Sequence, residues 1–299
     1  MSEPPIQVPP AFAHQWGADA AAGSRWLGSL PGLVDNWCRR WSLTREPGPA
    51  LHGTTALVVP VRRGDQACVL KLAWRGEDPG AETAALRAWD GRGAVRLLEA
   101  DDSGTVLLLE RLDPHRSLTD VDLATAASIA GQLIRRLTVP APQGLWTTAA
   151  AAADLAVSVP RRQAALGFPV PAGWAGAAVD AAHQLANSAA VTLVHTDPHW
   201  GNVLAGEREA WLAIDPKPAC GDPERSIPEL LWTRADEVPD PTGLRTLLAA
   251  VIDAGSLDPY RAQAWVVART VDYWQWAAGV GLTDDPRRCA RVLNAVLGT

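Results

Sequence analysis

Lysine is almost missing from this chain: of its 27 basic residues only Lys71 and Lys217 are lysines, so each is conspicuous where it falls. Cysteine is scarce as well. Cys38, Cys68, Cys220 and Cys289 are scattered, with no Cys-x-x-Cys step and no Cys/His pairing, which argues for reduced thiols and against zinc. No apolar run approaches the roughly 18 residues that a membrane helix needs. The opening MSEPPIQVPP has neither the basic nor the apolar region of a signal peptide, so a soluble, cytoplasmic chain is expected. Positive charge is in deficit too: the formal net charge of −6 argues against a nucleic-acid partner and suits a cationic ligand. Neither Gly-x-Gly-x-x-Gly nor a Walker A sequence occurs, which removes the dinucleotide and P-loop ways of holding phosphate.

What is present is a 299-residue chain, long enough for two lobes with a sizeable core. Residues 1–23 read as irregular at first. RWLGSLPGLVDNWCRRW then spaces Trp26, Leu30, Leu33, Val34, Trp37 and Trp41 by three and four, an amphipathic helix broken or entered at Pro31-Gly32. Two β-leaning runs, Ala56 to Val61 and Ala67 to Ala73, flank the hairpin-like RRGDQ. After the loop WRGEDPG come a short helix at Ala81 to Trp89 and two more runs, Val95 to Glu99 and Thr105 to Glu110. That order predicts a small antiparallel sheet with one helix packed on it. From Leu112 the pattern turns helical. Ser117 or Thr119 is expected to cap a helix through Leu137, with further helices near 147–158, 176–189, 242–254, 259–278 and 285–297. The lobes are therefore expected at 1–112 and 113–299, and a cleft between them is a natural place for a nucleotide.

The chemistry concentrates in TLVHTDPHWGNVLAGEREAWLAIDPKP, residues 192–218. An apolar run delivers His195 and Asp197 into a turn, Asn202 follows five residues after Asp197, and a second run ends at Asp215. This is the catalytic-loop and metal-loop layout of kinases. A carboxylate at 197 would orient an acceptor hydroxyl and take its proton, while Asn202 and Asp215 offer hard oxygens to Mg²⁺. His195 and His199 could by themselves suggest a transition-metal site. Pro198 denies them a helical i,i+4 arrangement and nothing completes a ligand set, so His195 reads as a brace for the loop and His199 as a residue near substrate or solvent.

Lys71, in the apolar run VLKLA, precedes Glu82 on the next helix by eleven residues. A strand lysine so placed pairs a helix glutamate and contacts the α- and β-phosphates. Gly53 and Thr54, with Thr55, precede the first strand and are compatible with a cover over the phosphates. The fourteen tryptophans read first as core, though aromatic faces also suit flat cations.

Taken with RWLGSLPGLVDNWCRRW, TALVVPV, LRAWDGRGAVRLLEAD, LLLERLDP and VHTDPHWGNVLAGEREAWLAIDPKPACGDP, the chain resembles the aminoglycoside and hydroxyurea phosphotransferase family, especially its streptomycin 6-kinase branch. The resemblance implies an α+β, protein-kinase-like bilobal fold, with a small antiparallel-sheet N-lobe and a mainly helical C-lobe. It further implies ATP with Mg²⁺, Asp197 as catalytic base, Asn202 and Asp215 as metal ligands, and Lys71 with Glu82 at the phosphates. The linker from Glu110 to Leu112 would hold adenine through its backbone. The acceptor implied is a small cationic molecule of the streptomycin type, with resistance or self-protection as its purpose. Asp222, Glu229 and Asp272 are the acidic candidates to meet it, and a monomer is favoured. The chain departs from the family at Thr196, Pro198 and Ser226, the last in place of a carboxylate that braces the loop. Two other readings follow: a kinase of another metabolite or biosynthetic intermediate, and a catalytically weak nucleotide-binding pseudokinase.

Overall fold

A computed structural model of the chain describes residues 6–17, 20–74 and 79–298. The chain divides into two compact units: residues 1–91 with 95–112, and residues 92–94 with 113–299.

The first unit runs α1 (Pro10–Gly17), α2 (Ala20–Arg40), β1 (Thr44–Arg45), β2 (Leu51–His52), β3 (Ala56–Arg63), β4 (Gln66–Ala73), α3 (Pro79–Trp89), β5 (Leu97–Ala100) and β6 (Val106–Glu110). Its antiparallel sheet has the order β1-β3-β4-β6-β5, with β2 also on β3. Period-two alternation explains the pleat: Leu57, Val59 and Val61 on β3 and Cys68, Leu70 and Leu72 on β4 join one core with Leu30, Val34 and Cys38 of α2. Lys71, between Leu70 and Leu72, therefore points to the opposite face. The hairpin is tighter than expected, since both strands extend until only Gly64 and Asp65 remain, and Gly64 takes φ +59° to turn the chain. Two expectations fail here. Residues 10–17 are helical, and α2 runs unbroken through Pro31 because its buried stripe on both sides of the proline holds it to the sheet. Most of the loop expected at WRGEDPG lies outside the described residues.

The second unit runs β7 (Asp113–Ser117), α4 (Leu123–Leu137), α5 (Thr148–Ala165), α6 (Ala172–Leu185), β8 (Thr192–His195), β9 (Val203–Ala205), β10 (Leu212–Ala213), β11 (Pro218–Gly221), α7 (Pro228–Trp232), α8 (Pro241–Gly255), α9 (Pro259–Gly279) and α10 (Asp284–Leu297). Its strands form two small antiparallel ladders, β10-β9-β7 and β11-β8. The cap of α4 is Asp122, which accepts from Thr125 N at 3.0 Å; Ser117 instead caps the single 3₁₀ turn at 118–120. An N-cap must directly precede the first helical residue, and an intervening turn disqualifies both expected caps. No helix among the described residues is long and apolar enough to cross a membrane.

Helices α4 and α8 make backbone-close contact at Gly131, where an added Cβ would lie 2.5 Å from Val251 O and 2.9 Å from Gly255 N. Those neighbours are helix backbone and cannot move aside singly. Gly131→Ala is expected to destabilise the protein by roughly 1–3 kcal/mol, the usual cost of overpacking, seen as a lower urea midpoint. An unchanged midpoint would show that the two helices are free to separate.

Candidate active site

The ladders of the second unit explain why Asp197, Asn202 and Asp215 share one neighbourhood. Strand β8 delivers His195 opposite Pro218 of β11. The β9–β10 hairpin pairs Val203 with Ala213, directly after Asn202 and two residues before Asp215. Ile214 N then donates to Asn202 O at 2.8 Å, so the backbones bearing Asn202 and Asp215 are hydrogen-bonded side by side. Asn202 Nδ2 donates to the Asp197 carbonyl at 2.8 Å, which leaves Oδ1 as its outward acceptor. Asp215 adopts φ +48°, in the left-handed region that a non-glycine residue enters at a cost and that aspartate tolerates better than most.

His195 ties this arrangement together. Its Nε2 bonds the Ile214 carbonyl at 3.0 Å and its Nδ1 accepts from Asp197 N at 3.2 Å. One ring nitrogen must donate and the other accept, so the neutral tautomer protonated on Nε2 satisfies both. Complete burial pulls its pKa down to about 4. In the unfolded chain it would titrate near 6.5, so protons bind the unfolded state preferentially between those values. The contribution is intact above about pH 6.5 and is lost as the pH falls toward 4, by about 3 kcal/mol in total. Urea midpoints measured from pH 7.5 to 4.5 are expected to fall more steeply for the wild type than for His195→Gln; parallel curves would refute the assignment.

Asp197 is half-buried, and no side chain among the described residues donates to its carboxylate. Burial raises its pKa, Glu229 and Asp215 push the same way, and His199 and Lys217 pull it down. It is thus a carboxylate with free lone pairs, held by its backbone and not by its oxygens. His199 is half-buried, its carbonyl accepts from Asn202 N at 2.8 Å, and its ring covers Gly201. Lys217 Nζ reaches Asp215 Oδ2 at 3.3 Å.

In the first unit, Lys71 Nζ donates to both Glu82 oxygens, at 2.7 and 2.8 Å, with both side chains largely buried. The face of β4 opposite the core meets the first turn of α3, which is why a lysine survives in an apolar strand. Gly53 and Thr54 lie in the exposed turn between β2 and β3, closed by Gly53 N to Ala56 O at 3.0 Å. Glu110 ends β6 with its carboxylate on Arg96 N at 2.7 Å, and Leu112 is buried just beyond it.

The acidic residues expected to meet a cationic molecule are otherwise engaged. Asp222 is wholly buried; Arg261 Nη1 donates to its Oδ1 at 2.9 Å and Trp265 Nε1 to its Oδ2 at 3.0 Å. Glu229 accepts from Arg225 and Arg269, and Asp272 from Arg162 and Arg269. Asp222 is a structural anchor, and the other two have their charge met from within. Sequence reasoning missed these arginines. Ser226, singled out in the sequence for standing in place of a bracing carboxylate, donates its hydroxyl to the His195 carbonyl at 2.7 Å and so braces the loop without one.

Among the described residues no group of three or more His, Cys, Asp or Glu is placed to hold a metal ion. Asn202 Oδ1 with the Asp215 carboxylate is a pair of hard oxygen donors of the kind that Mg²⁺ takes alongside phosphate oxygens and water. The donor set fits Mg²⁺.

The sequence model of the family described as aminoglycoside/hydroxyurea antibiotic resistance kinase matches residues 40–281. The chain is 45% identical to hydroxyurea phosphotransferase of Kitasatospora aureofaciens, over 98% of this chain and 86% of that one. It is 36% identical to streptomycin 6-kinase of Streptomyces glaucescens, over 92% and 91% respectively. Among solved structures it resembles a thermostable mutant of an aminoglycoside phosphotransferase in ternary complex with ADP and hygromycin B, at 14% identity and TM-score 0.57, over 89% of this chain and 99% of that one. The choline kinase of Streptococcus pneumoniae superposes equally well, with TM-score 0.57 at 11% identity, over 90% and 99%. Those two likenesses establish the fold as protein-kinase-like, with a small antiparallel sheet in one unit and mostly helices in the other.

Proposed function

Because the chain belongs to the aminoglycoside/hydroxyurea antibiotic resistance kinase family and is a small-molecule kinase, we propose that it transfers the γ-phosphoryl group of ATP to the hydroxyl of a small neutral acceptor of the hydroxyurea type. The observation that carries the choice of acceptor is the internal neutralisation of Glu229 and Asp272 by Arg225, Arg269 and Arg162, together with the burial of Asp222. A polycation gains little from carboxylates whose charge is already balanced. The relative of higher identity given above, named for hydroxyurea, supports the same choice.

In this reading Asp197 accepts a hydrogen bond from the acceptor hydroxyl, aims its oxygen at the γ-phosphorus, and takes the proton as the new bond forms. Its raised pKa brings it closer to working pH, which suits a general base. Asn202 and Asp215 would hold Mg²⁺, which would supply neutralisation of charge on the phosphates. Lys71, oriented by Glu82, would bind the α- and β-phosphates, Gly53 and Thr54 would help cover them, and the backbone from Glu110 to Leu112 would hold the adenine.

Streptomycin is the second reading, favoured by the relatives named for it. Purified protein with Mg²⁺ and ATP, offered hydroxyurea and streptomycin separately and followed by mass spectrometry, separates the two. A phosphorylated hydroxyurea is expected. Phosphorylation of streptomycin alone would sink the neutral-acceptor reading, and ATP binding without turnover of any acceptor would favour the pseudokinase.

A further inference from the structure

Three successive backbone carbonyls lead into the candidate catalytic carboxylate, and each is held by a side chain. Ser226 Oγ donates to His195 O at 2.7 Å, Arg225 Nη1 to Thr196 O at 3.1 Å, and Asn202 Nδ2 to Asp197 O at 2.8 Å. The middle bond differs in kind, since it alone comes from a charged group. The Thr196 carbonyl and the Asp197 N–H belong to one planar peptide unit. Arg225 grips the oxygen of that plane, and His195 Nδ1 accepts from its N–H at 3.2 Å. With both ends held, the plane that carries the Asp197 Cα has little freedom to rock.

We infer that Arg225 is a positioning residue for phosphoryl transfer: its guanidinium, locked between the Thr196 carbonyl and Glu229, fixes the backbone from which Asp197 projects. The inference rests on the phosphotransfer reading above. Arg225 Nη1 also donates to both Glu229 oxygens, at 3.2 and 3.1 Å, and the guanidinium lies 5.9 Å from the centre of the Trp265 ring. Both side chains of the pair are buried. Glu229 is held in turn by Arg269 from α9, so the clamp is anchored on a long helix and not on the loop it steadies. Burial lowers the Arg225 pKa to about 10, which leaves it protonated at neutral pH.

A buried ion pair is a poor device for stability, because well-packed apolar residues of similar volume often serve as well or better. What apolar residues cannot supply is a donor for the Thr196 carbonyl. A misplacement on the order of 1 Å at a reacting group can cost 10²-fold in rate, so the clamp should act on kcat and leave substrate affinity alone.

The experiment compares the wild type, Arg225→Met, the charge-balanced double variant Arg225→Met/Glu229→Met, Arg225→Lys and Asp197→Asn, with Mg²⁺, ATP and hydroxyurea, and with streptomycin in parallel. The double variant is expected to melt within about 4 °C of the wild type, yet to lose about 10–10²-fold in kcat, with both KM values within about twofold. Arg225→Lys, which keeps the charge and a donor, should recover part of that loss. A folded double variant with wild-type kcat overturns the inference, as does a loss confined to KM or no rescue by lysine. Failure of the underlying reading looks different: Asp197→Asn would then turn over as fast as the wild type.

Discussion

Asp197→Asn is expected to lower kcat by about 10²–10⁴-fold, the usual worth of a positioned general base, with the KM for ATP nearly unchanged. The substitution is nearly isosteric and no donor is lost from the carboxylate, because the loop is held through the backbone: Asp197 N by His195 and Asp197 O by Asn202. The fold should therefore survive, and the loss can be assigned to the oxygen that meets the acceptor. Removing a half-buried carboxylate whose pKa is raised by burial should if anything stabilise the protein. Steady-state rates beside a melting curve make the test. A fall in kcat of less than about tenfold with an intact fold would remove Asp197 from the role of base.

Asp215→Asn is expected to cost more in metal than in fold. Asparagine tolerates the left-handed φ of +48° at least as well as aspartate, so the backbone after β10 should persist. It replaces a charged ligand by a neutral one, and the Mg²⁺ concentration for half-maximal rate should rise by on the order of 10-fold or more. At fixed Mg²⁺ the rate should drop about 10³-fold, equivalent to several kcal/mol of lost charge stabilisation in the transition state. Chelation of the wild type with EDTA should abolish turnover, and added Mg²⁺ should restore it. If Asp215→Asn shows the wild-type Mg²⁺ dependence, Asp215 is not a ligand, and its strained φ needs another explanation.

Most of the secondary structure was legible because it is written in short-range periodicity. The alternation in β3 and β4 and the three-four spacing in α4, α8, α9 and α10 survive into the fold because the buried stripe and the local pattern agree. Reading failed where tertiary packing overrode a local signal, as at Pro31 inside α2, or where pairing has no apolar signature. Strand β7, with sequence DPHRS, pairs with β9 although nothing in it alternates. The cap of α4 went to Asp122 because an unforeseen 3₁₀ turn displaced the helix start.

The candidate site divides in the same way. Strand-turn chemistry is local: His195, Asp197, Asn202 and Asp215 fall within 21 residues, and their types and spacing alone define a phosphotransfer reading. Lys71 and Glu82 are eleven residues apart, one strand and one helical turn, so their pairing too is within reach of sequence reasoning. The state of charge of the acidic candidates was legible only in part: Arg225 lies one helical turn before Glu229 and Arg269 one before Asp272, but each acid has a second, distant partner. Glu229 meets Arg269 from 40 residues away and Asp272 meets Arg162 from 110 residues away, and no window of sequence contains both partners. A carboxylate in a sequence is only a potential charge. Whether it is offered to a ligand or spent on a neighbour depends on which distant side chains the packing of α5, α7 and α9 brings within hydrogen-bond range. By itself the sequence determined the class of reaction. The tertiary structure decided that these acids answer to arginines of the same chain, and that the peptide before Asp197 is held by one of them.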